Sequence, residues 1–134
     1  MRNKTLEKII VRMENYVECW KQFSHFMNLA RFKKFSLDDE NQFLEIKSVL
    51  TQELELLLSA VDCGQITREE VHSLISSAPS IRYLSETNEA GLRTTETQWH
   101  KLFICLQSIL GQLKVKQKQF EGQSFWGSFL GGKK

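Results

Sequence analysis

Along the first thirty residues, apolar side chains recur three or four positions apart: Leu6, Ile9, Met13, Tyr16, Trp20, Phe23, Met27 and Ala30. That is the spacing of one face of an α-helix. Ile10, Val17 and Phe26 widen the face beyond the narrow seam of a two-stranded coiled coil, so the segment reads as a bundle helix. Charges such as Glu7, Arg12, Glu14, Glu18, Lys21 and Lys33 take the remaining sides, and the pattern predicts a helix from about Asn3 to Lys34.

A capping signal follows at once. In Ser36-Leu-Asp-Asp-Glu40, Ser36 is placed to accept the Asp39 backbone N–H, and the acids sit at the positive end of a new helix. Phe43, Ile46, Leu50, Leu54, Leu57 and Val61 then repeat near 3.6 residues, ending around Asp62 with Gly64 as a left-handed cap. The link between the first two helices is only two or three residues, which makes them antiparallel neighbours.

Thr67-Arg-Glu-Glu70 is a second capping box, opening a short helix through Val71, Leu74 and Ile75 that Pro79 closes. From Ser80 to Gln98 the apolar signal thins to Ile81, Tyr83, Leu84, Ala90 and Leu92. The reading adopted for this stretch is the loosely packed front of a long helix; the alternative is a short helix with a break at Gly91. The last strong repeat is Trp99, Leu102, Leu106, Ile109, Leu113 and Phe120, with Phe103 and Leu110 beside it and Lys116 interrupting. Gly111 inside it is expected to mark a close helix contact.

Three long amphipathic helices, a shorter one and short links predict an all-α fold: an antiparallel, up-down bundle of about four helices. It is expected to span residues 1–121, with a separate Gly- and aromatic-rich tail at 122–134.

Composition adds limits. One proline and seven glycines in 134 residues, four of those glycines in the last thirteen, suit long helices rather than many turns. Cys19, Cys63 and Cys105 are odd in number and far apart, which argues against a disulfide framework and for a reducing compartment. The longest apolar run is the five residues from Leu102 to Leu106, against about 20 for a spanning helix. Arg2, Lys4, Glu7 and Lys8 break any signal-peptide core. A soluble, cytoplasmic protein is the expectation. The formal net charge of +2 is too small to argue for nucleic acid.

Chemistry is sparse. His25, His72 and His100 fall on different predicted helices, none spaced from a Cys, Ser or acid as a triad or metal site requires. No catalytic residue, metal ligand or cofactor is assigned, and the protein is expected not to be an enzyme. The segment Gly64, Ile66, Thr67 and Glu70 matches half of an EF-hand loop, but Ser59, Val61 and Cys63 stand at the earlier ligand positions and cannot cage calcium. Residues 66–84 outline a helix-turn-helix in which Arg82 is the only base between Ser73 and Leu92, too few for specific DNA contacts.

His72-Ser-Leu-Ile-Ser-Ser-Ala78 resembles the His-Thr-Leu-Lys-Gly-Ser-Ala motif of histidine phosphotransfer domains, which are four-helix bundles of about this size. The resemblance covers seven residues and implies phosphorylation at His72 in a signalling bundle. Ile75 and Ser76 depart from the motif where it has its lysine and glycine.

The most informative feature outside the core is the tail. Phe125, Trp126, Phe129 and Leu130 share one face of a helical turn, followed by Lys133 and Lys134 among four glycines. So large an apolar group is costly to leave in water. Three roles follow: folding back over the bundle, docking into a partner groove as aromatic hot spots do, or a weak contact with an anionic membrane. The leading expectation is a protein–protein interaction module, an adaptor or accessory subunit, that contacts a partner or a second copy of itself through Phe125, Trp126, Phe129 and Leu130. The runner-up is a peripheral membrane protein using the same residues. Phe32 and Phe35, among Arg31, Lys33 and Lys34, lie off the main stripe and either form an aromatic-basic patch or pack under the first turn.

Overall fold

The computed structural model describes residues 3–64 and 66–130, the side chains of residues 122–130 lying outside that description. It is all-α, with five helices and no strand among the described residues: α1 (Lys4–Phe32), α2 (Leu37–Ala60), α3 (Arg68–Ser76), α4 (Ile81–Glu86) and α5 (Glu89–Leu130).

Helix α1 is the axis of the bundle. Asn3 caps it by accepting the Leu6 N–H at 3.0 Å, and Lys33 closes it in the left-handed region at φ 56°. The amide of Lys34 turns back to donate to the Leu29 carbonyl at 3.0 Å, so the helix stops just before the end its pattern predicts. Helices α2, α4 and α5 all pack on α1, and ten of its residues are buried. Each large apolar side chain withdrawn from water on this scale contributes about 1.5–3 kcal/mol.

Trp20, Phe23, Phe26 and Phe43 form a continuous aromatic run at the α1–α2 contact, with ring centroids 5.1–5.5 Å apart. Two polar atoms tie this core together. The buried Tyr16 hydroxyl donates to the Leu50 carbonyl at 2.8 Å, joining α1 to α2. The Trp99 Nε1–H donates to the Trp20 carbonyl at 2.8 Å, joining α5 to α1. Burial pushes the Tyr16 hydroxyl well above the ordinary phenol range.

Ser36 and Asp39 make the reciprocal capping box at the start of α2: Ser36 Oγ accepts the Asp39 N–H at 3.1 Å and Asp39 Oδ2 accepts the Ser36 N–H at 2.8 Å. Thr67 caps α3 by accepting the Glu70 N–H at 3.1 Å. Gly64 does adopt a left-handed conformation, φ +57°, but α2 has already ended at Ala60. The glycine instead sits in a turn whose N–H donates to Asp62 Oδ1 at 3.0 Å.

The fourth column of the bundle is split. Arg68 pairs with Glu55, Lys47 donates to the Pro79 carbonyl, and Glu40 meets the start of α4. Those contacts climb α2 from its end toward its beginning, so α3 and α4 together run antiparallel to it. The topology is up-down-up-down, with two short helices standing in for one long one.

Residues 80–98 are therefore not a single helical front. Ser80 caps the six-residue α4, Thr87 turns extended (ψ 145°), and α5 starts at Glu89. The break falls ahead of Gly91, not at it. Asn88 caps α5 by accepting the Gly91 N–H at 2.7 Å. A Cβ on Gly91 would lie 2.6 Å from Thr87 Cγ2 and 3.1 Å from Asn88 Oδ1, so glycine allows the preceding turn to fold against the new helix.

Glu40 makes the split stable. The first amides of a helix have no intrahelical acceptor. Glu40 Oε1 accepts the Ile81 N–H at 2.7 Å, Glu40 Oε2 accepts the Arg82 N–H at 3.3 Å, and Ser80 Oγ takes the Tyr83 N–H at 2.9 Å. A carboxylate from α2, 41 residues earlier in the chain, thus sits on the positive end of α4.

Candidate functional site

Residue chemistry gives little catalytic footing. His25, His72 and His100 are all exposed and lie on α1, α3 and α5. His72 is at the middle of α3, and Ile75, at the motif's lysine position, is buried in the core. Arg82, the base on the second helix of the helix-turn-helix outline, pairs with Glu86 at 3.5 Å within its own helix. Cys63 is buried and Cys19 half-buried, and burial pushes both thiols up, disfavouring the thiolate that a nucleophile needs. Among the described residues no three His, Cys, Asp or Glu side chains gather as metal ligands. No helix there is long and apolar enough to cross a membrane.

The concave features are shallow grooves between helices. One of about 350 Å³ lies between α3 and α5, lined by Glu69, Glu70, Ser73, Gln98 and Lys101 over Leu74 and Leu102. Another, of about 550 Å³, lies between α1 and α5. There Arg31 is held by Glu96 and lies 4.0 Å from Glu89, and Arg93 pairs with Glu89 at 3.5 Å, so the groove's guanidinium charge is already answered within the chain.

The feature that stands out is the outer side of α5. The predicted seam turns inward: Leu102, Leu106 and Ile109 are buried, Trp99 and Leu113 half-buried, and Phe120 is exposed at its far end. On the opposite side Ile104, Ser108, Gly111 and Val115 recur at spacings of four, three and four, which is one helical line. All four are exposed, Ile104 at 51% and Val115 at 55%. Gly111 does not mark a contact among the described residues, since a Cβ placed there would meet nothing within 4 Å. The line is apolar at both ends and low in the middle, a shape that suits a partner's ridge.

Its charge is one-sided. Residues 97–120 contain Lys101, Lys114, Lys116 and Lys118 and no acid. Lys114 pairs across to Glu14 on α1 at 3.2 Å. Lys101, Lys116 and Lys118 are exposed and have no ion-pair partner among the described residues.

The contact residues expected from sequence, Phe125, Trp126, Phe129 and Leu130, fall in the last turns of the same helix, and their side chains lie outside the described residues. In the sequence, the spacing of the outer line continues through Lys118, Gly122, Trp126 and Phe129. The outer line itself is absent from the sequence reading, because α5 has apolar residues on both sides and periodicity does not say which side meets the core. Phe35 packs partly under the core, whereas Phe32 is exposed.

No protein-family model, curated protein or solved structure matches this chain.

Proposed function

We propose that the protein is a non-enzymatic protein–protein interaction module, an adaptor or accessory subunit, that docks through the outward side of α5. The observation that carries this reading is the exposed Ile104–Ser108–Gly111–Val115 line on a 42-residue helix that the bundle packs on its other side. Unanswered lysines beside an apolar centre make a surface that selects a partner by both shape and sign. Phe125, Trp126, Phe129 and Leu130, the apolar cluster of the sequence that follows, belong to the same proposed contact, with Phe125, Trp126 and Phe129 of the residue class that dominates binding energy. Three free cysteines suit a cytoplasmic setting.

The test is comparative capture from cell extract with the full chain, an Ile104→Asp/Val115→Asp variant, and a chain ending at Glu121. Both altered chains should lose the partner that the full chain retains, while melting within a few degrees of it. Equal capture by all three chains would remove the α5 surface from the reading.

A second reading is a peripheral membrane protein, supported by the acid-free, lysine-bearing stretch 97–120 that leads into the aromatic cluster. Each lysine near an anionic surface adds about 1 kcal/mol. It requires co-sedimentation with phosphatidylserine-containing vesicles that salt reverses; the chain staying in the supernatant at low salt excludes it.

A further inference from the structure

Charge is segregated along the chain. Residues 36–78, which form α2 and α3, hold nine acids against two bases, whereas residues 97–120 of α5 hold four lysines and no acid. Helices α2 and α5 both pack on α1, while α3 packs on α5 and sets Glu69 and Glu70 in a groove with Lys101, so the acidic side remote from the lysines is that of α2 alone. On α2, Glu45 is exposed without an ion-pair partner among the described residues, beside Leu44 at 52% exposure. Glu55, next to Leu56 at 50%, is exposed as well, with its carboxylate paired to Arg68. The α2 side is thus acidic with exposed leucines, and the α5 side is basic with an exposed isoleucine and valine.

From this complementarity we infer that the occupant of the α5 surface is a second copy of this chain, presenting its α2 side. The inference rests on the interaction reading above and names its partner. The pairing is head-to-tail: the surface that donates on one molecule is not the one that accepts on the next. Such contacts leave a free acceptor and a free donor at the ends, so association continues until a ring closes.

Size sets the strength. Residues 97–120 and helix α2 are each 24 residues long, about 36 Å of helix. Two faces of that length and about 10 Å width bury on the order of 700 Å² in total, below the standard size for a specific complex. The self-association is therefore weak, concentration-dependent and sensitive to screening by salt.

The experiment is sedimentation velocity on the full chain and two exposed-residue variants, Lys101→Glu/Lys118→Glu on α5 and Glu45→Lys/Leu56→Lys on α2. Wild type should grow in mass with concentration at low ionic strength and return to monomer in high salt. Each variant alone should stop at monomer. Their equimolar mixture should associate again, because each retains one intact side. Two outcomes overturn the inference: wild type remaining monomeric at low salt, or variants whose mixture fails to pair. Circular dichroism checks that the variants fold; if a double variant melts early, the single changes Lys118→Glu and Glu45→Lys give the same mixing test. A monomeric wild type that still captures a foreign partner through α5 removes the second copy and leaves the interaction reading standing. Failure of both experiments removes both.

Discussion

Helix α1 buries ten of its 29 residues because α2, α4 and α5 all pack against it. Helix α5 is longer, yet between Glu89 and Glu121 only Leu92, Thr95, Leu102, Leu106 and Ile109 are buried. Both carry an apolar repeat of helical period. The difference is how many sides find a partner within the chain: three for α1, and one side of α5, met by α1 and α3. An amphipathic repeat thus establishes that a helix packs, and only the assembled bundle shows how much of it is left over.

The sharpest way to break this contrast is to truncate one side chain in each helix. Phe23→Ala opens a hole among fully buried rings and should lower unfolding free energy by about 3–5 kcal/mol in a denaturant titration. Ile104→Ala should stay within about 0.5 kcal/mol of wild type. Comparable losses at the two sites would mean that the outer side of α5 belongs to the fold.

A smaller effect separates α2's two kinds of glutamate. Glu40→Ala strips two amides of α4 of their acceptor and should cost about 1–2 kcal/mol. Glu45→Ala, on the exposed side, should cost less than about 0.5 kcal/mol. Chemical denaturation of the pair decides it, and an insensitive Glu40 would contradict the cross-chain cap.

The two glycines of α5 give the finest comparison. Gly91→Ala drives a methyl into Thr87, whose hydroxyl is engaged with the Tyr83 carbonyl at 2.9 Å, and should destabilise by about 1 kcal/mol. Gly111→Ala faces open space inside a helix and should stabilise by about 0.5–1 kcal/mol. Thermal melts of opposite sign are expected; matching signs would show that α5 begins differently or that Gly111 is covered.

Much of the fold was legible because its signals are local. Ser36 and Thr67 announce their helices within four residues, and the α1 repeat is long enough to identify its own buried face. The α3–α4 split was not legible. It depends on Glu40, 41 residues away, and on the room left by the missing Cβ of Gly91, neither of which appears in a periodicity. Of the candidate site, the aromatic cluster at 125–130 is visible as composition. The Ile104–Val115 line needs the placement of α1, because only that fixes which side of α5 faces inward.

The cap that Glu40 places on α4 also governs which parts of the molecule open together. Six residues are too few to hold a helix alone, since nucleation fixes several residues for its first bond. The amides of Ile81 and Arg82 are shielded only while the opening turn of α2 stays wound. Fraying at Asp38–Glu40 therefore uncovers the amides of Ile81 and Arg82 in the same event. These two segments, remote in sequence, are expected to open together, with the Ile81 and Arg82 amides exchanging as the first turn of α2 frays.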